Sequence, residues 1–178
     1  MRLFLTRHGE TVANVRGISQ GHLPGTLSEK GVQQAKGLAL KLRDEKIDAI
    51  YSSDLKRAAD TAKEIAGFHP NAELLFVRSL REVDLGKLEG TRIDWEKPRP
   101  AGIESRASMW ARAKLSLEAA FLAHPNGNVL FVAHNGINKS ILRVLHGWPL
   151  DKQFPAFENA SLQVFEIKRA EGGKLVLS

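Results

Sequence analysis

Two apolar runs, far apart in the chain, each deliver a histidine into a turn. Leu3-Phe4-Leu5-Thr6-Arg7 runs into His8-Gly9, and Val129-Leu130-Phe131-Val132-Ala133 runs into His134-Asn135. Short apolar runs closed by a turn residue predict buried strands. In open α/β sheets, ligands bind beyond the carboxyl ends of the strands. A sheet that delivers two histidines there, with the Arg7 guanidinium beside one, points to an anion site suited to phosphoryl chemistry.

The rest of the chain alternates strand and helix signals. Ser28 is placed as a helix N-cap, and Val32, Ala35, Ala39 and Leu42 follow at helical spacing, predicting a helix over 29–44. Ile47 to Tyr51 reads as the next strand. Asp54 is placed to cap a helix striped by Leu55, Ala58, Ala59, Ala62, Ile65 and Ala66. Glu73 to Val77 reads as a third strand and 104–123 as a helix with Trp110, Ala113, Leu117 and Phe121 on its buried face. Asn128 to Ala133 is the fourth strand, followed by a helix over 137–146. Ser161 to Ile167, Gly172-Gly173 and Lys174 to Leu177 predict a terminal hairpin. Residues 12–27 read as a loop. Gly86, Gly90, Pro98 and Pro100 make 86–103 a loop over the site rather than a second domain. This order predicts one α/β domain over 1–178, a three-layer α/β/α sandwich on a mainly parallel sheet.

Composition narrows the function. The chain has no cysteine, which removes disulfides, thiolate metal sites and a cysteine nucleophile. No apolar run approaches a membrane span, and the first apolar stretch stops at Leu5, so a soluble, cytoplasmic protein without a membrane partner is expected. The formal net charge of +6 suits an anionic substrate or nucleic acid. Its Lys and Arg residues are dispersed, with no block of five like charges, so nucleic acid is not expected as a partner. His22, His69, His124 and His146 fall in no ligand pattern, and neither a metal nor a cofactor is expected.

The motif Arg7-His8-Gly9-Glu10-Thr11 after an N-terminal strand, with His134 after a later one, resembles the histidine phosphatase superfamily, the phosphoglycerate-mutase-like enzymes. The resemblance spans nearly the whole chain, with motifs in the expected order, and implies a phosphoglycerate-mutase-like fold. It makes His8 a nucleophile forming a phosphohistidine. It makes Arg7 and Arg57, the latter in Ser52-Ser53-Asp54-Leu55-Lys56-Arg57-Ala58, the phosphate-binding arginines. His134 is implied to donate a hydrogen bond to the phosphoryl group. Asn14, Gln20 and Gly21 match phosphate and substrate contacts, with Thr11 and Ser53 as minor ones. Asn135 stands where the family usually has glycine and keeps the backbone N–H that touches phosphate.

Glu82-Val83-Asp84-Leu85-Gly86-Lys87-Leu88-Glu89-Gly90 is similar to the family's E-x-x-x-G-x-x-E-G segment, whose first Glu is the general acid. A group that protonates a leaving alkoxide and later deprotonates water needs a raised pKa. Asp84 and Glu89 remain competing carboxylates. Glu104-Ser105 resembles a G-G-E-S segment, Asn159-Ala160-Ser161 reads as structural, Trp110 as core, and Trp95 as a residue near the site. The implied function is metal-independent hydrolysis of small phosphorylated metabolites. The short stretch after Glu82 looks like the phosphatase branch. A cofactor-dependent phosphoglycerate mutase is the alternative within the family, and a non-catalytic phospho-ligand-binding regulator is the alternative outside it. A homo-oligomer is left open.

Overall fold

The computed structural model describes residues 1–95, 97–98 and 101–178. Its strands are β1 (Arg2–Arg7), β2 (Ala49–Ser52), β3 (Glu73–Phe76), β4 (Asn128–Ala133), β5 (Leu162–Arg169) and β6 (Leu175–Leu177). They form a sheet in the order β3-β2-β4-β1-β5-β6. The first four run parallel to one another, and β5 and β6 are antiparallel additions. The helices are α1 (Val12–Val15), α2 (Glu29–Leu42), α3 (Lys56–Ala66), α4 (Arg106–Ala123) and α5 (Asn135–His146).

Side-chain alternation along the strands builds two cores. Phe4, Ile50, Leu130 and Val132 face α2 and α3, where Leu38, Ala39, Ala58, Ala62 and Ile65 meet them. Leu3, Leu5, Tyr51, Val129 and Phe131 face α4 and α5, against Met109, Ala113, Leu117, Ile137 and Ile141. Parallel strands covered on both faces have no polar side, so the middle of β1 (Leu3 to Leu5) and β4 from Val129 to Ala133 are apolar on both faces. This is the α/β, three-layer arrangement that the alternation predicted.

Three local expectations are corrected. Within the stretch read as a loop, Val12–Val15 is a short helix: Thr11 accepts from the Asn14 N–H while the Asn14 side chain accepts from Thr11, a capping box. Asp54 caps nothing. Helix α3 starts after Leu55 with no side-chain cap, and Asp54 is instead held by Arg81 at 2.7 and 2.5 Å. The terminal hairpin forms, but β5 also pairs along β1, extending the central sheet. Trp110 packs half-buried against the core. Of the loop over 86–103, Pro100 lies outside the described residues, and Gly86–Leu88 forms one 3₁₀ turn.

The register fixes the site. Arg7 of β1 lies opposite Ala133 of β4, so His8 and His134 leave the sheet side by side, and His8 N–H donates to the Ala133 carbonyl at 3.0 Å. The turn after His8 packs directly on the first turn of α2. A Cβ on Gly9 would overlap the Gly31 carbonyl, and one on Gly31 would overlap the Glu10 carbonyl. Glu10 fastens the same junction by accepting from Ser28 Oγ at 2.8 Å and Lys30 Nζ at 3.3 Å.

Candidate active site

His8 is buried, and its two ring nitrogens are distinguished by their partners. Nδ1 lies 2.7 Å from the Gly9 carbonyl, which only accepts, so Nδ1 carries the proton. Nε2 is then a bare lone pair, and it accepts from Arg57 Nε at 3.2 Å. Burial, then the positive charges of Arg57 and Arg7, hold the His8 pKa well below that of an ordinary histidine. The ring is therefore neutral near pH 7, with a nucleophilic nitrogen. Asn159 Nδ2 donates to the His8 carbonyl at 3.0 Å, and the Ala160 N–H bridges the Arg7 and His8 carbonyls. The segment read as structural is thus the backing of this turn.

Arg57 is 1% exposed. Its Nη1 donates to the Leu23 carbonyl at 2.5 Å and its Nη2 to the Gly21 carbonyl at 2.9 Å. Burial lowers its pKa to about 10, so it keeps its charge. Arg7 donates from Nη1 to the Phe157 carbonyl at 2.6 Å. The Phe157 N–H donates in turn to Asn135 Oδ1 at 2.9 Å, so the backbone of Phe157 bridges the two residues. The Asn135 side chain is therefore engaged in orienting Arg7.

The His134 ring centroid lies 5.1 Å from that of His8. It is fully buried, and burial followed by Arg57 depresses its pKa well below the usual value, so it too is neutral. Both of its ring nitrogens and Arg7 Nε are buried with no hydrogen-bond partner among the described residues. Buried donors are almost always paired, because each orphan costs ~1–3 kcal/mol. Unpaired buried polar atoms beside two guanidinium groups suit an anionic ligand.

Of the three competing carboxylates, Glu82 alone lines the cavity. Gly136 N–H, in the first turn of α5, points between its oxygens at 3.0 and 3.1 Å, and Val83 N–H donates at 3.0 Å. Glu89 Oε1 accepts from the His22 N–H at 2.6 Å, and exposed Asp84 accepts from Gly86 N–H at 2.8 Å. The loop holding Glu82 is braced by residues the sequence did not single out. Arg112 donates to the Ser79, Arg81 and Glu82 carbonyls while its own charge is matched by Glu104. His22 Nε2 lies 2.8 Å from the Glu82 carbonyl. Glu104 of the G-G-E-S-like segment thus works through Arg112 as a brace.

The cavity measures about 470 Å³, a size typical of small-ligand sites. Arg7, His8, Asn14, Gln20, Gly21, Arg57, Glu82 and Asn135 all line it; His134 is not part of the open wall, and its ring meets that of His8 edge-on. Asn14 Oδ1 is occupied by the Thr11 N–H and Asn159 Nδ2, which leaves its NH₂ group as the uncommitted end. Thr11 and Ser53 do not reach the cavity. Thr11 Oγ1 accepts from the Asn14 N–H at 3.0 Å and from Gln20 Nε2 at 2.9 Å, and Ser53 Oγ accepts from the Leu55 N–H at 3.3 Å, so both are committed to neighbouring loop groups. Trp95 does line it, together with Ile18 and Ile93. So do Lys139 and Arg143 on α5 and Arg106, which sequence reasoning missed.

A wider depression of about 740 Å³ lies on the far side of the Glu82 loop. Its arginines are matched locally, Arg81 and, at 4.0 Å, Arg78 by Asp54, and Arg112 by Glu104. The ligand-type atoms of His22, Asp84 and Glu89 lie within 4.8 Å of one another there. The fold brings His22, which belongs to no motif, beside Asp84 and Glu89 of the Glu82–Gly90 segment. Their carboxylate and imidazole atoms already hold the loop backbone, as described above.

The family model of the histidine phosphatase superfamily (branch 1) matches residues 3–177. The chain belongs to this superfamily. It is 36% identical to phosphoserine phosphatase 1 of Hydrogenobacter thermophilus, over 94% of this chain and 87% of that one. It is 31% identical to the adenosylcobalamin/alpha-ribazole phosphatase of Salmonella typhi, over 84% of this chain and 81% of that one. Among solved structures, a mycobacterial glucosyl-3-phosphoglycerate phosphatase superposes with a TM-score of 0.89 at 28% identity, covering 99% of this chain and 96% of that chain.

Proposed function

We propose that the protein is a metal-independent phosphomonoesterase that acts on small phosphorylated metabolites through a phosphohistidine at His8. The observation that carries this reading is the paired state of His8: Nδ1 committed to the Gly9 carbonyl and Nε2 left as a lone pair, beside the buried donors of Arg7, Arg57 and His134. Substrate phosphate takes over the Arg57 Nε–H, releasing Nε2 for attack. As the P–N bond forms and the P–O ester bond breaks, Glu82 gives its proton to the leaving alkoxide. The resulting carboxylate then takes a proton from water, whose oxygen displaces His8 and releases inorganic phosphate. Arg7, Arg57 and a neutral His134 N–H stabilise the equatorial oxygens, where charge collects in the transition state.

Relatives named as phosphatases of phosphoserine and of alpha-ribazole phosphate support small-molecule substrates. A phosphate-release assay across a panel of phosphomonoesters, run with chelator-treated protein, tests the reading. Continued release by the treated protein, with turnover abolished in His8→Ala, is the expected result. Full loss restored by a divalent ion would overturn metal independence. Phosphate transfer to a second hydroxyl in place of release would favour a mutase, and binding without turnover a regulator.

A further inference from the structure

We infer that Lys139 forms a second anion subsite in the cavity, so that the preferred substrate is a phosphomonoester whose alcohol part carries an anionic group of its own. The inference rests on the phosphatase reading above and specifies its substrate. Among the described residues, the cavity is lined by five cationic side chains, Arg7, Arg57, Arg106, Lys139 and Arg143, and by one carboxylate, Glu82. A phosphate dianion is matched by Arg7 and Arg57 alone.

Asn135, Lys139 and Arg143 lie four residues apart on α5, so they form one stripe down the helix face that borders the cavity. Asn135 sits at the phosphate end, and Lys139 is one turn further, a rise of about 6 Å. That spacing suits an acid group two to four bonds from the ester oxygen. Lys139 is half-buried and has no hydrogen bond or ion pair among the described residues. Burial, and then the neighbouring Arg143, hold its ammonium below the usual lysine range, against the opposite pull of the Glu82 carboxylate across the cavity. A half-buried cation beside like charges is costly, and a bound anion relieves that cost.

Arg143 plays a different part. It donates to the Lys152 carbonyl at 2.6 Å and lies over the Phe154 ring at 4.9 Å, fixing the wall behind Lys139. The excess is also not a local echo of net charge. In the neighbouring depression Arg81 and Arg112 each face a carboxylate, and Lys30 and Lys56 on the surface do the same.

The test compares kcat/KM for 3-phosphoglycerate, which carries a carboxylate; ethane-1,2-diol bisphosphate, which carries a second phosphate; glycerol 1-phosphate, which is neutral beyond its ester; and phosphoethanolamine, which carries an amine. Wild type is expected to favour at least one anionic ester over glycerol 1-phosphate by about tenfold or more, and the better of the two identifies the anion. Lys139→Gln should collapse that ratio, mainly through KM, and Lys139→Glu should shift preference toward phosphoethanolamine. A wild-type preference for the neutral ester, or an unchanged ratio in Lys139→Gln, overturns the subsite while leaving the phosphatase reading intact. Folded protein that releases phosphate from none of the four overturns both.

Discussion

Gly136→Ala separates the placement of Glu82 from the stability of the fold. Gly136 lies in the first turn of α5, and it is not among the glycines with positive φ. Alanine at such a position normally favours a helix by ~0.5–1 kcal/mol. Here the added Cβ falls about 1 Å inside the 3.4 Å at which ordinary contact with Glu82 Oε1 begins, and 3.0 Å from Met109 Cε. Both obstacles are ends of flexible side chains, so the backbone stays and the carboxylate withdraws by about 1 Å. A misplacement of that size typically costs ~10²-fold in rate. The loss should be largest for alkyl phosphates, whose poor leaving groups need the proton most, and small for an activated aryl phosphate. The assay is single-turnover phosphoenzyme formation on both ester types, with thermal unfolding measured in parallel. Unchanged alkyl-ester rates, or a fall in activity matched by a fall in melting temperature, would refute the reasoning.

Glu82→Gln keeps the shape of the side chain but has no proton to give, so it should lose ~10²–10⁴-fold in phosphoenzyme formation on alkyl esters and far less on aryl esters; equal losses would make the residue a positioning group. Asn135→Ala releases the Phe157 N–H and with it one support of Arg7, so the inhibition constant of inorganic phosphate should weaken about fivefold, the equivalent of ~1 kcal/mol. Because His8 and His134 are held neutral by burial, stability should be fully present above pH about 6.5 and fall as pH drops below it, since the unfolded chain then takes up protons that the folded rings exclude. NMR titration should find both rings neutral at pH 6, and a stability flat from pH 7 to 5 would contradict their burial as neutral groups.

The parts of the site legible in the sequence were those set by local pattern. His8 and His134 were readable because each ends an apolar run, and parallel pairing in register brings such ends together. Glu82 was indicated by its place in the E-x-x-x-G-x-x-E-G-like segment, but spacing alone left Asp84 and Glu89 as competitors, because the contacts that place the loop and its carboxylate come from distant segments: Arg112, His22 and the Gly136 N–H. Asp54 misled because an acidic residue before a helical stripe has the pattern of a cap, whereas the long-range pair with Arg81 claimed it. The capping box at Thr11 and Asn14 was a readable signal for α1, hidden among surrounding glycines. Lys139 and Arg143 were not singled out, because nothing local distinguishes the solvated face of an amphipathic helix from a cavity wall.

The central claim, covalent catalysis at His8, is tested most directly by trapping the intermediate. Protein mixed with a labelled phosphomonoester and quenched in base should carry label that survives alkali, is released by acid, and maps to His8. His8→Ala should carry none and turn over no substrate. Label on a serine or an aspartate, or normal turnover by His8→Ala, would contradict the account.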